Sequence, residues 1–170
     1  MTLRLRPYNA DDETAAVAIH ESMLSDPFPF LLDWESMKSW SEFLKSNAEQ
    51  RQGLNPSTYR VRGVQLGAFA DGELVGRASL RFELNEFFAE RGGHVGYGVA
   101  PAHRRNGYAT EILRQALIIL RAEGVERVLV TCDNENVGSA RVIEHNGGVF
   151  ESIVPAVESD PIETRRYWIS

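Results

Sequence analysis

The chain has 170 residues, 43% of them hydrophobic, with a formal net charge of −6. This predicts one folded domain over residues 1–170, burying roughly 70% of its unfolded surface. The acidic balance argues against nucleic acid as a partner, since phosphate backbones are held by basic surface, and no run is long enough to span a membrane.

The opening stretch MTLRLRPYNA lacks the apolar core of a secretory leader, so a cytoplasmic protein is expected. Leu3 and Leu5 alternate with Arg4 and Arg6, which reads as a short strand ended by Pro7. Asp11, Asp12 and Glu13 place acids at a helix start, where the helix dipole favours them. The helix should run to about Ser25. Asp26-Pro27-Phe28-Pro29-Phe30 then forces a loop. A second helix is expected from Asp33 to Gln52, with Asp33 as its cap and Trp34, Met37, Trp40, Phe43 and Leu44 at helical spacing.

Tyr59–Ala70 and Leu74–Leu84 are β-rich runs joined by Asp71-Gly72, a strong hairpin signal. A polar and aromatic connection follows, from Asn85 to Gly93. His94–Val99 reads as a strand interrupted by Gly96 and Gly98, and glycine inside a strand marks a bulge or a close approach. Pro101 stops the strand. Arg104-Arg105-Asn106-Gly107-Tyr108-Ala109 then leads into a helix whose apolar face is Ala109, Ile112, Leu113, Ala116, Leu117 and Leu120. A helix start offers unpaired N–H groups and partial positive charge to an anion. Gly107 permits close approach of phosphate oxygens, and Arg104 and Arg105 add charge-assisted donors.

Arg127–Cys132 fits a buried strand. Cys132 is the only cysteine, so one chain builds no disulfide framework or cysteine zinc site, and no metal is expected. Asn136 opens a short helix that ends at Gly147-Gly148. Val149–Val154 and Ile162–Ile169 give two final strands.

Two segments carry a family resemblance. Val99-x-Pro101-x-x-Arg104-Arg105-x-Gly107-Tyr108-Ala109 resembles the central acyl-CoA motif of the GNAT superfamily of N-acyltransferases. Asn136-x-x-Ser139-x-x-Val142-Ile143-x-x-x-Gly147 resembles its second CoA-contacting segment. The element order βααβββαβαββ is similar to the GNAT architecture, an α/β fold with a mixed, mostly antiparallel sheet of about seven strands. The resemblance implies an N-acetyltransferase that moves the acetyl group of acetyl-CoA directly to an amine of a small molecule or protein, without an acyl-enzyme. It implies CoA contacts from Tyr97, Gly98, Val99, Arg104, Arg105, Asn106, Gly107, Tyr108, Ala109, Asn136 and Ser139. Phe28, Phe30 and Trp34 border the acceptor by the same analogy, although aromatics at helical spacing more often pack. A homodimer is common in the superfamily.

The catalytic groups stay open at this level. Many GNAT enzymes place a tyrosine acid where this chain has Ile143, and Tyr97, Tyr108 and Tyr167 are substitutes in principle. Glu83 and His94 are candidate bases. The missing tyrosine also suits a non-catalytic acyl-CoA-binding domain. A different phosphate ligand is disfavoured, because neither G-x-x-x-x-G-K-[ST] nor G-x-G-x-x-G is present. The negative net charge favours steering of a cationic acceptor.

Overall fold

The computed structural model describes residues 2–170. Its seven strands are β1 (Leu3–Pro7), β2 (Gly63–Ala70), β3 (Glu73–Arg81), β4 (Val95–Val99), β5 (Val128–Asp133), β6 (Val149–Val154) and β7 (Thr164–Ile169). Its helices are α1 (Glu13–Ser22), α2 (Trp40–Arg51), α3 (Glu86–Glu90), α4 (Tyr108–Ala122) and α5 (Val137–His145). The chain order is the predicted one with α3 added between β3 and β4.

The strands form one sheet in the order β1-β2-β3-β4-β5-β7-β6. Every neighbouring pair is antiparallel except β4 and β5, which run parallel. Asp71 and Gly72 turn the β2–β3 hairpin with φ of 50° and 87°, the left-handed values a two-residue hairpin turn requires.

One face of the sheet carries α4 and α5. Ile112, Leu113, Ala116, Leu117 and Leu120 of α4 pack there against Leu66, Ala78, Leu80, Val95 and Val130. That burial is the main stabilising term of the domain, about 25 cal/mol per Å² of apolar surface removed from water. The opposite face carries α1, α2 and the loop between them, with Phe30, Leu31, Trp40 and Phe43 packed on Tyr8 and Phe69. Trp40 and Phe43 stack with centroids 5.0 Å apart.

The second helix begins later than its pattern predicts. Asp33 takes φ of 65° and caps nothing; Trp34–Ser36 is a single 3₁₀ turn. Ser39 is the true cap, accepting from Glu42 N, while the Glu42 carboxylate reaches back to Lys38 N at 2.8 Å. This reciprocal pair satisfies two orphan donors and sets the start. The first helix likewise begins beyond a capping box in which Asn9 and Asp12 exchange bonds, and it ends at Ser22.

Candidate active site

The site begins where β4 and β5 part. Only Val95 and Val130 pair between them as strand partners, reinforced by His94 N–H donating to the Leu129 carbonyl at 2.8 Å. Arg81 N–H donates to the His94 carbonyl and Ala100 N–H to the Val75 carbonyl. That parity turns the backbone groups of Gly96 and Gly98 toward β3 and those of Tyr97 and Val99 toward the opening. Past Val95 no strand partner remains on the β5 side. Arg104 Nε takes the Val99 carbonyl at 3.1 Å.

The helix α4 starts at the mouth of this opening. Gly107 is its N-cap residue, with φ of 78°, and no side chain caps the helix. A Cβ built at Gly107 would meet nothing within 4 Å. The space in front of the helix is therefore open, and its first N–H groups are available to an anion. Arg105 also lies in the left-handed region, φ 64°, and is exposed. Arg104 is already engaged: its guanidinium pairs with Asp26 at 2.7 Å, tying the α1–α2 loop to the end of β4. Asn106 donates to the carbonyls of His103 and Arg104, which tightens the turn. Tyr108 stands at the helix start against the His103 ring, and Ala109 follows it in the first turn.

Across the opening, Asn136 Oδ1 accepts from Ser139 N–H at 3.0 Å and caps α5. Ser139 Oγ lies 2.7 Å from the Tyr97 hydroxyl. Tyr97 thus spans from β4 to α5. Burial raises its pKa beyond the ordinary phenol range, so it stays protonated at neutral pH. The other two tyrosines are placed differently. Tyr167 is buried in the core and its hydroxyl meets Glu144 Oε1 at 3.1 Å, and Tyr108 faces His103. Ile143 is fully buried, with its methyl against Gly148.

The expected bases sit near the closed end. His94 is buried, and its Nδ1 accepts from Leu129 N–H at 2.9 Å. Desolvation first, then the Arg81 charge, lowers its pKa to about 4. A neutral ring accepting at Nδ1 carries its proton on Nε2, so neither nitrogen has a free lone pair. Glu83 is exposed beyond the end of β3, with Oε1 3.4 Å from Arg62 N. Of the expected acceptor aromatics, Phe28 is exposed, Phe30 lies in the core, and Trp34 packs on Trp40 and Phe43.

Two features escaped the sequence. Asp133 closes β5, half-buried, on the face opposite α4, and borders a groove of about 550 Å³ lined by Asn134, Glu135, Asn136, Pro161, Ile162 and Glu163. Burial, then the nearby Asp160, raises its pKa above the ordinary carboxylate value. Arg91 is buried beneath the β6–β7 loop. It pairs with Asp160 at 3.0 Å and donates to the carbonyls of Pro155 and Ile162 and to Thr164 Oγ1. That loop is therefore pinned from below, against the groove. An acid at the end of a strand and an arginine after a short helix are too common as patterns to have marked either one.

The sheet opens at its one parallel pair, and an uncapped glycine-led helix start, a place suited to an anion, stands at the opening. The chain belongs to the GNAT acetyltransferase family: the family model described as an acetyltransferase (GNAT) domain matches residues 2–149. It is an acetyl-CoA-dependent acyltransferase. No curated protein sequence matches it. Among solved structures, it is similar to Mycobacterium smegmatis RimJ in complex with CoA-disulfide, at 23% identity over 98% of this chain and 81% of that one, TM-score 0.74. It is also similar to RimL, a ribosomal alpha-N-protein acetyltransferase in complex with coenzyme A (18% identity, 99% and 94% covered, TM-score 0.71). A third is yncA of Salmonella typhimurium, a putative acetyltransferase with acetyl-CoA (16% identity, 100% and 94% covered, TM-score 0.67).

Proposed function

We propose that this protein is an N-acetyltransferase that passes the acetyl group of acetyl-CoA directly to an amine of a small molecule or a protein. The observation that carries this reading is the opening between β4 and β5 with the uncapped start of α4 at its mouth. The α4 N–H groups, Gly107 and Arg105 hold the pyrophosphate. The pantetheine arm lies along the backbone edge of Tyr97 and Val99 that β5 leaves unpaired, with Asn136 and Ser139 on its other side. The N–H groups of that edge also face the thioester oxygen as it becomes an oxyanion.

The amine nitrogen attacks the thioester carbon, the C–S bond breaks, and the amine proton leaves to a base. We assign that base to Asp133, directly or through one water. Its carboxylate has no hydrogen-bond partner among the described residues, its proton affinity is raised, and it borders the groove. His94 in its present hydrogen bonding has no lone pair to offer, and Glu83 is exposed beyond the end of β3 with its Oε1 beside Arg62 N. Tyr97 gives its proton to the departing thiolate. Of the three tyrosines it alone has a hydroxyl lying between β4 and α5.

The test is calorimetric binding of acetyl-CoA, followed by acetyl-CoA-dependent thiol release over a panel of amines. Micromolar binding with thiol release is the expected result. Absence of acetyl-CoA binding at millimolar concentration would sink the reading.

A further inference from the structure

The guanidinium of Arg77 is a buried cation without a partner. It sits in the middle of β3, only 8% exposed. Its Nε has no hydrogen-bond partner, and among the described residues no carboxylate pairs with it. Taking such a charge out of water is costly unless an anion or several acceptors compensate. Burial accordingly lowers its pKa.

The strand register shows why the side chain lies where it does. Arg77 is opposite Gly67 in β2 and opposite Gly98 in β4. It is flanked on both sides by residues with no side chain. Alternation puts Arg77, Gly96 and Gly98 on the face opposite α4. A Cβ built at Gly96 would meet only the Arg77 Nη1, at 3.4 Å, and one at Gly98 only its Nε, at 3.6 Å. The guanidinium therefore lies over the glycines of β4, and nothing else covers them. These are the glycines beside the edge assigned above to the pantetheine arm, seen from the acceptor's side of the sheet.

The surroundings are cationic. Arg81 lies on the same face, two residues along in that alternation; the Arg77 charge acts on Arg81, and the Arg81 charge acts on His94. It is held by the carbonyls of Gly92 and Gly93, not by an acid. Tyr8, whose field is coupled to Arg77, presents a second buried polar atom without a partner, its hydroxyl. The local field here is thus opposite in sign to the net charge of −6.

We propose that Arg77, assisted by the Tyr8 hydroxyl, binds a carboxylate on the acceptor, so that the physiological acceptor is an amine that also carries a carboxylate. This rests on the acetyltransferase reading and adds the acceptor's chemical class. The guanidinium fork suits a planar carboxylate through paired donors. Asp133 stands across the opening on the same face, so the acceptor would present its anionic end to β3 and its amine to β5. The carboxylate can come from a small amino acid or from an acidic side chain near a protein N-terminus.

The experiment compares products that differ only in that charge. N-acetylglycine and N-acetylglycinamide, and the same pair built on β-alanine and γ-aminobutyrate, are titrated into the CoA-saturated protein and followed by NMR. N-acetylated peptides with Asp or Asn at the second position separate the two sources. The carboxylate member of at least one pair should bind tenfold or more tighter. Arg77→Gln should remove that difference, and Arg77→Lys should keep part of it. CoA affinity should stay within twofold in both variants, which also shows that they fold. Equal binding of acid and amide, no binding of either, or a preference that survives in Arg77→Gln would overturn the proposal. So would an Arg77→Gln variant that loses kcat equally for charged and neutral acceptors, the signature of an oxyanion role. Loss of CoA binding by the wild type would instead strike the acetyltransferase reading, and the acid–amide comparison would still be read on the free protein.

Discussion

Tyr97 Oη and Ser139 Oγ lie 2.7 Å apart, and this bond joins β4 to α5 across the opening that the sheet leaves unpaired. A hydroxyl at that point can serve a leaving thiolate, and Ile143 cannot. Tyr97→Phe should lower kcat about 100-fold while leaving the acetyl-CoA dissociation constant within a few-fold. The stability loss should be only about 1 kcal/mol. Steady-state kinetics together with calorimetry would check this. An unchanged kcat would remove Tyr97 as the acid.

Asp133 sets the expected pH profile. A base works only when deprotonated, and burial raises this carboxyl's pKa. Activity should therefore fall with decreasing pH, at a higher pH than an ordinary carboxylate would give. In Asp133→Asn, kcat/KM should drop about 100-fold and this limb of the profile should flatten. A pH profile of kcat/KM for both proteins would read it.

His94 should control stability more than rate. Its folded pKa of about 4 lies below the ordinary 6.5, so the unfolded chain binds the extra proton first. The stabilisation is complete above pH 6.5 and is lost as pH falls toward 4. Thermal melts between pH 7 and 4 should show a downward slope in the wild type that is weaker in His94→Gln, which keeps an acceptor for Leu129 N–H without titrating.

Gly107 separates ligand space from protein space. A Cβ there meets nothing within 4 Å beyond its chain neighbours, but φ of 78° strains any L-residue. Gly107→Ala should cost about 1 kcal/mol of stability and at least tenfold in acetyl-CoA affinity. Gly107→Val should be worse on both counts, because a β-branched residue tolerates positive φ poorly. Calorimetry and melting curves on the same samples would show whether affinity falls further than strain explains.

Arg91 anchors the β6–β7 loop through Asp160, Thr164 and two carbonyls. Arg91→Ala leaves those acceptors buried or loosened and should cost about 3 kcal/mol. Limited proteolysis should then cut first within residues 155–163. Cleavage elsewhere would mean that the loop has other support.

The parts of this site that were legible in the sequence are those encoded locally. Gly107 before the periodic face of α4, Asn136 before α5, and Asp71-Gly72 between two β-rich runs each write their structure into a few consecutive residues. The second helix was misjudged at its start because Asp33 and Ser39 are both good caps. The choice between them was made by Glu42 reaching back to Lys38 N. Arg77 was hidden for a different reason. Its meaning depends on Gly67 and Gly98, ten and twenty-one positions away, which become neighbours only through strand register. A charged residue inside the apolar run LVGRASL was the one available signal. His94 is a candidate base by residue type, whereas the burial and Arg81 charge that lower its pKa, and the Leu129 N–H that takes its Nδ1 lone pair, arise only from tertiary contacts.

The single pairing between Val95 and Val130 has a consequence for how this protein survives among other chains. Unpaired strand edges are templates for aggregation, and the opening gives the sheet two more of them, on β4 and β5. Both face each other inside one molecule, so a foreign strand must enter between them to pair. Tyr97 and Ser139 bar that entry with one bond. A slim arm that supplies its own amide groups can take the same place without needing the width of a strand. The amides of Tyr97 and Val99 should therefore exchange with solvent faster than those of Gly96 and Gly98 in the free protein, and slow down when coenzyme A is bound.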